Sequence, residues 1–178
     1  WAASDGAVTL YHDNASKLAT AATGVNISGT VAASNGTAAL PAFTFVGDTN
    51  NGMFKAGNDE IGFSTASTER MRINGWGNVG IGVVPEADWE ANHRAVQMGM
   101  STSVFGRSTA RQGGLLNNAR ITGADYTTAK RIATGESTGY VQTSTGHDFL
   151  VAASGSADSA ISWTTAMTIA NTGHVGIL

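Results

Sequence analysis

Short runs of alternating apolar and polar residues recur along the chain. A period of two places successive side chains on opposite faces of a β-strand. Clusters of Asn, Asp and Gly separate the runs, and these residues tolerate the positive φ of tight turns. The pattern therefore predicts an all-β chain of short strands and hairpins. The clearest runs are residues 8–11, 43–46, 61–64, 71–73, 79–83, 96–100, 140–142, 149–151, 161–163 and 167–169.

One stretch favours a helix. Pro85 suits the first position of a helix, and the residues from Glu86 to His93 follow it without a strand pattern. The sequence thus predicts at most one short helix, beginning at Pro85.

An internal repeat gives the strongest signal of organisation. Residues 68–81 align without gaps on residues 164–177, at an offset of 96, with Thr, Met, Ile, Gly, Val, Gly and Ile shared. Each copy predicts a strand, an Asn/Gly turn and a second strand ending in Val-Gly-Ile. We therefore predict two modules, residues 1–84 and 85–178, each closing with this hairpin.

Several ordered blocks resemble segments of bacteriophage tail fibre proteins. The blocks are LYHDNASKLATAATGVNISGT (residues 10–30), GDTNNGMFKAGND (47–59), TERMRINGWGNVGIG (68–82) and the stretches around 89–99 and 160–164. The resemblance covers nearly the whole chain. It implies an elongated, intertwined trimeric β fibre on the virion, joined to other tail or baseplate proteins. It also implies a contribution to attachment to a host-cell glycan or protein.

Two positions depart from the family pattern: His12, where Tyr is usual, and Leu178, where a Gly-Thr ending and a further domain are usual. The chain is accordingly expected to be a fragment of a longer protein. In many such fibres a downstream intramolecular chaperone cleaves itself off, and nothing in these 178 residues matches it.

Large apolar side chains are scarce for a monomer of this size. Leu, Ile, Val and Phe make up 34 of the 178 residues, about 19%. Ordering each residue costs about 1–2 kcal/mol of chain entropy, so a core shared by three chains is expected, in an obligate homotrimer. The side chains expected at its axis are Met71, Ile73, Val79, Ile81, Met167, Ile169, Val175 and Ile177. The glycines expected on the opposite face, where an adjacent chain would approach, are Gly80, Gly82 and Gly176.

Charge and composition exclude several classes of protein. The net charge is -3 and charged residues are 13% of the chain, so a nucleic-acid partner is not expected. No run approaches 18 apolar residues, so membrane insertion is not expected. There is no Cys and hence no disulfide.

Residues 101–131 form a basic band, with five cations and one acid, whereas residues 1–100 carry nine acids and five bases. Within the band, Arg107, Arg111 and Arg120 are the candidate receptor-binding residues, because guanidinium groups bind the phosphates or carboxylates of a surface glycan. The alternative, slightly favoured, is that the band pairs with the acidic first half of a neighbouring chain.

No motif meets the full requirement of a catalytic or ligand site. Residues 75–80 spell G-x-G-x-x-G, but a strand and a proline follow instead of a helix. Residues 48–59 resemble a calcium loop whose Gly comes one position early. The four histidines lack metal-ligand spacing; one His per chain could hold an ion on a three-fold axis, although hydrogen-bonded imidazole is the simpler account. The carboxylates at 59–60 and 86–90 fall in predicted turns and the predicted helix. We expect no catalytic residue, metal or cofactor.

The sequence thus predicts a structural virion protein, a tail fibre segment that contributes to host attachment and catalyses no reaction. Two alternatives stay open. One is a tailspike segment that cleaves polysaccharide, and the other is a fibrous bacterial adhesin.

Overall fold

The structure, a computed structural model, describes residues 6–178, and the chain divides after Ser34 into two compact units. The first unit is an antiparallel meander of β1 (Thr9–His12), β2 (Ala15–Ala21) and β3 (Gly24–Ile27). Asp13 and Asn14 form its first turn with φ of 52° and 58°, the left-handed backbone that two-residue hairpin turns require.

The second unit, Asn35–Leu178, is built around one open sheet of twelve strands. Its strands and those of a separate two-stranded ladder are β4 (Phe43–Phe45), β5 (Asp48–Gly57), β6 (Glu60–Thr65), β7 (Thr68–Ile73), β8 (Val79–Ile81), β9 (His93–Met98), β10 (Thr102–Arg107), β11 (Gly113–Asn117), β12 (Arg120–Ile121), β13 (Ala129–Lys130), β14 (Gly135–Thr143), β15 (Gly146–Gly155), β16 (Thr164–Ala170) and β17 (Val175–Ile177).

The order across the large sheet follows the chain from β4 to β11 and then from β14 to β17, while β12 pairs with β13. Every pair of neighbours in the large sheet is antiparallel except β8 and β9, which run parallel. Over the described part of the chain the structure is all-β and contains no helix. The all-β prediction is therefore confirmed.

The predicted hairpin repeat is confirmed in three dimensions. Met71 pairs with Ile81 and Ile73 with Val79 in the first copy, and the residues 96 positions later pair identically. The turns also match: the Gly77 N–H donates to the Asn74 carbonyl at 2.9 Å and the Gly173 N–H to the Ala170 carbonyl at 2.8 Å. Both glycines have a φ near +80°.

The structural repeat is longer than the repeat in the sequence. The central cross-strand pairs of five strands, β4 to β8, have the same register as those of β11 and β14 to β17, and each set has a bulge after the Phe of its third strand. Equivalent residues are 72 positions apart in the first strand and 96 in the last. The matching lines of cross-strand partners are Phe43, Met53, Phe63, Met71 and Ile81 in one set, and Leu115, Tyr140, Phe149, Met167 and Ile177 in the other.

The hairpin of β9 and β10 lies between these two five-stranded sets. The boundary predicted at residue 84 falls beside it, at the parallel join of β8 and β9 within one continuous sheet. The division into two fibre modules stays a prediction.

The helix predicted at Pro85 is not formed. Residues 82–92 instead make the crossover that a parallel strand pair requires. Their contacts with the sheet hold them in an irregular path: the Glu86 N–H donates to Gln97 Oε1 at 3.0 Å, and the Trp89 ring lies 6.4 Å from that of Phe105. Tertiary contacts therefore override the local helix signal.

This crossover explains why a glycine is needed at position 80. The sequence predicts that Gly80 admits an adjacent chain. Gly80 and Gly176 do lie opposite the predicted axial residues, but a Cβ on Gly80 would come within 2.1 Å of the Val83 carbonyl oxygen of its own chain. The expectation for Gly80 is therefore wrong, because the same chain already covers it. A Cβ on Gly176 would lie 3.0 Å from its nearest neighbour, Thr168 Oγ1. Gly82 has a φ of +68° and open space around it.

We predict that Gly80→Ala lowers the free energy of unfolding by about 2 kcal/mol, because the new methyl group displaces the crossover. The equivalent change Gly176→Ala should cost under about 0.5 kcal/mol, as for most surface sites. Thermal and urea unfolding of both variants at one chain concentration tests this. Equal losses at the two sites would contradict the assignment.

Candidate interface on the open face of the sheet

The two faces of the large sheet are covered differently. On one face, here called the back face, irregular segments of the chain pack onto the strands and form the core. The buried core residues are Trp89, Ala95, Phe105, Leu116, Ala119, Ile121, Ala129, Val141, Leu150, Ala152 and Ile161. The opposite face, here called the open face, is covered by no other segment of the second unit, and many of its apolar side chains are exposed.

A continuous line of apolar side chains crosses the open face. Each member is the direct cross-strand partner of the next, from β6 to β17, and direct partners stand about 5 Å apart. This line, the apolar row, consists of Ile61, Ile73, Val79, Val96, Val104, Leu115, Tyr140, Phe149, Met167 and Ile177. A second line flanks it on the first strands: Phe43, Met53, Phe63, Met71, Ile81 and Met98.

The eight residues predicted for a trimer core all lie on this open face. Four belong to the apolar row and two to the line that flanks it, while Ile169 and Val175 pair with each other beside the row. Their exposure varies along the sheet: five are half-buried, whereas Ile81, Val175 and Ile177 are exposed, the last by 76%. The structure brings these residues together on one surface, and their place at a three-fold axis stays a prediction.

Several polar groups of the open face are hydrogen-bonded within the chain. Tyr140 stacks on His147 with ring centroids 5.9 Å apart, and its hydroxyl lies 2.7 Å from His147 Nδ1. The Gln142 amide donates to the same hydroxyl at 2.9 Å. At the margin, the Arg94 guanidinium folds back to donate to the carbonyls of Ala91 and His93. Polar side chains of the face that are already bonded need no water, so the face can be covered by another apolar surface at little cost.

The Arg120 side chain lies in the interior, not on a receptor-binding surface. Its side chain is 3% exposed, and it donates to the carboxylates of Asp88 and Asp158 and, at 2.6 Å, to the Arg131 carbonyl. Burial alone would lower the pKa of Arg120, but these carboxylates raise it, and Arg120 in turn lowers the pKa of Asp158. The receptor-binding role predicted for Arg120 is therefore not compatible with its position.

The basic band is divided between the interior and the surface. Arg131 is buried too, where its guanidinium donates to the carbonyls of Gly135, Ala153 and Ala160. Arg107, the last residue of β10, is half-buried, and Arg111, in the connection from β10 to β11, is exposed. Arg120 pairs with Asp88, in the acidic first half of its own chain, and with Asp158 outside that half. The pairing of the band with a neighbouring chain stays a prediction.

The acidic residues considered for catalysis mostly have partners. Glu60 accepts from Arg72 at 2.8 Å, and Glu90 Oε2 lies 2.9 Å from His93 Nδ1. Burial alone would raise the pKa of Glu90, but hydrogen bonds from Asn92 and His93 hold it lower. Asp59 forms a turn with φ of 58°.

The dinucleotide-like and calcium-like motifs of the sequence form ordinary strands and turns. Residues 75–80 form the hairpin turn and the start of its second strand, and the calcium-like loop, residues 48–59, consists of β5 and the turn that follows it. Among residues 6–178 no cluster of three or more His, Cys, Asp or Glu side chains could hold a metal ion.

In comparisons with known proteins, no family model, curated protein or solved structure matches the chain. The described residues include no helix long and apolar enough to cross a membrane. The continuous apolar row is therefore the main observation on which a function can be argued.

We predict that Arg120→Ala lowers the free energy of unfolding by about 3 kcal/mol, because it removes a buried side chain together with its hydrogen bonds to two carboxylates and to the Arg131 carbonyl. Arg111→Ala, at an exposed arginine of the same band, should change it by less than about 0.5 kcal/mol. Urea unfolding of the two variants measures the difference. An Arg120→Ala chain as stable as the parent would show that the buried pairs contribute nothing.

Proposed function

We propose that the chain is a segment of a homotrimeric β fibre in which three copies pack their open faces around a common axis. The observation that supports this is the apolar row, because it presents large side chains on ten neighbouring strands and no other segment of the second unit covers it. Soluble monomers rarely expose contiguous apolar patches larger than a few hundred Å². A second layer is the usual way in which a sheet buries such a face.

The dimensions of the sheet suit a fibre. Twelve strands at spacings of about 4.8 Å extend about 53 Å, while a strand of six residues is only about 20 Å long. The apolar row runs along the longer direction. Three such ribbons placed around an axis parallel to the row would enclose it along its whole length. Each chain would then contribute its row to one shared core and its back face to the outer surface.

This arrangement also accounts for the small internal core. The buried apolar residues of the back face are few. Eight of the eleven lie either on β9 and the later strands of the sheet or in the ladder of β12 and β13. The strands from β4 to β8 contribute mainly Phe54 to the buried interior, so they depend most on the open face for apolar burial. Three chains would supply the burial that one chain lacks.

We further propose that the fibre belongs to a virion tail, where it connects to other tail or baseplate proteins and contributes to attachment to the host surface. The support is the resemblance of the residue blocks at 10–30, 47–59 and 68–82 to tail fibres. In this arrangement Arg107, at the end of β10, and Arg111, in the connection from β10 to β11, lie at the ends of the strands. They would thus stay accessible to a host glycan or protein.

We predict that the purified chain has the mass of a trimer and that Val79→Asp abolishes the trimer, because three carboxylates would lie in one apolar core. Val46→Asp serves as the matched control, since Val46 is fully exposed and lies outside every strand. Light scattering coupled to size exclusion measures the mass of each. A folded monomer in the parent chain, or a trimer in Val79→Asp, would refute the shared core. A dimer would indicate that two ribbons pack face to face.

We predict that charge reversal of Arg107 and Arg111 reduces adsorption of the fibre to host cells, and that adsorption of the parent falls as salt is added. The comparison variant is Lys17→Glu, which reverses an exposed cation in the first unit. Adsorption is measured as the fraction of labelled trimer bound to cells. An unchanged fraction in the double variant would exclude these arginines from attachment.

A further inference from the structure

The two hairpins of the repeat differ in what lies beside them. In the first copy the outer edge of β8 is covered by β9, which runs parallel, with Val79 beside Val96 and Ile81 beside Met98. In the second copy, β17 pairs only with β16 among the described residues. The two hairpins are otherwise equivalent, because their registers and turn hydrogen bonds coincide at the offset of 96.

The backbone of β17 has hydrogen-bonding groups that point away from the sheet. The Leu178 N–H donates to the Ala166 carbonyl at 3.1 Å, a bond that flanks the pair of Ile177 and Met167. In an antiparallel ladder this leaves the N–H and C=O groups of Val175 and Ile177 directed outward. In the first copy the equivalent carbonyl, that of Ile81, accepts from the Gly99 N–H at 2.9 Å.

The glycine at the centre of each Val-Gly-Ile strand is covered in the first copy and uncovered in the second. Val83 and Pro85 lie directly over Gly80, within 3 Å of an added Cβ. Over Gly176 only Thr168 Oγ1 comes close. At β17 the outward backbone groups are thus equivalent to those that pair with β9 in the first copy. The space over Gly176 is equivalent to the space that the crossover fills over Gly80.

We propose that the outer edge of β17 is a docking site for a parallel strand of the β9 type, supplied by a further repeat of the module. That strand has apolar residues beside Val175 and Ile177, and its crossover lies over Gly176. Docking would add one more side chain to the apolar row. This proposal does not depend on the number of chains in the fibre.

The test uses the chain through Ile177, followed directly by a second copy of residues 82–100 in place of Leu178. Amide hydrogen exchange is followed at Val175 and Ile177 in the extended and unextended chains. We expect exchange at both residues to slow by at least about tenfold on extension, because strand docking protects outward N–H groups. The same exchange rate with and without the extension would overturn the proposal.

Two matched controls show whether protection arises from the docked strand. In the first, the extended chain carries Gly176→Ala, which places a methyl group where the crossover carbonyl would lie. In the second, Asp replaces the extension residues copied from Val96 and Met98. Both should exchange like the unextended chain, and protection that persists in either would overturn the proposal.

The mass of each sample separates this proposal from the trimer. Protection by the extension in a monomeric chain would support the docking edge while refuting the shared core. A trimer that gains no protection would refute the docking edge alone.

Discussion

The apolar row constrains everything else in the large sheet. Ten consecutive strands place a large apolar side chain at the same level of the open face, and each is the register partner of the next. A shift of one residue in any strand would turn its member of the row toward the back face. The apolar surface is therefore continuous only in the observed register of the sheet.

The back face shows how the chain uses its irregular segments. The crossover at residues 82–92 and the segment that carries β12 and β13 bury the Trp89 ring, Ile121 and the Arg120 guanidinium. They complete a small core in which most buried polar groups are bonded. One face is thus stabilised by the chain itself, while the open face is left for contact with other copies in the trimer that we propose.

Local patterns in the sequence were sufficient for the hairpins, but not for the contacts between distant segments. Alternation correctly placed Val79 and Ile81 on one face, as it did Val175 and Ile177, and the offset of 96 correctly identified the two hairpins as copies. The five-stranded repeat was missed because its loops differ in length, so that the offset changes from strand to strand. Arg120 looked like a surface cation because its carboxylate partners are 32 and 38 residues away in the sequence. The helix predicted after Pro85 does not form, because helix propensity does not include the contacts of this segment with the sheet.

A distance between chains tests the shared core most directly. The sequence contains no Cys, so Thr102→Cys gives one spin-label site per chain on the open face, beside Met98. Because packed sheets lie about 10 Å apart, the account predicts a single interchain distance within about 20 Å by pulsed electron paramagnetic resonance. The absence of any interchain distance in that range, in a folded chain, would contradict it.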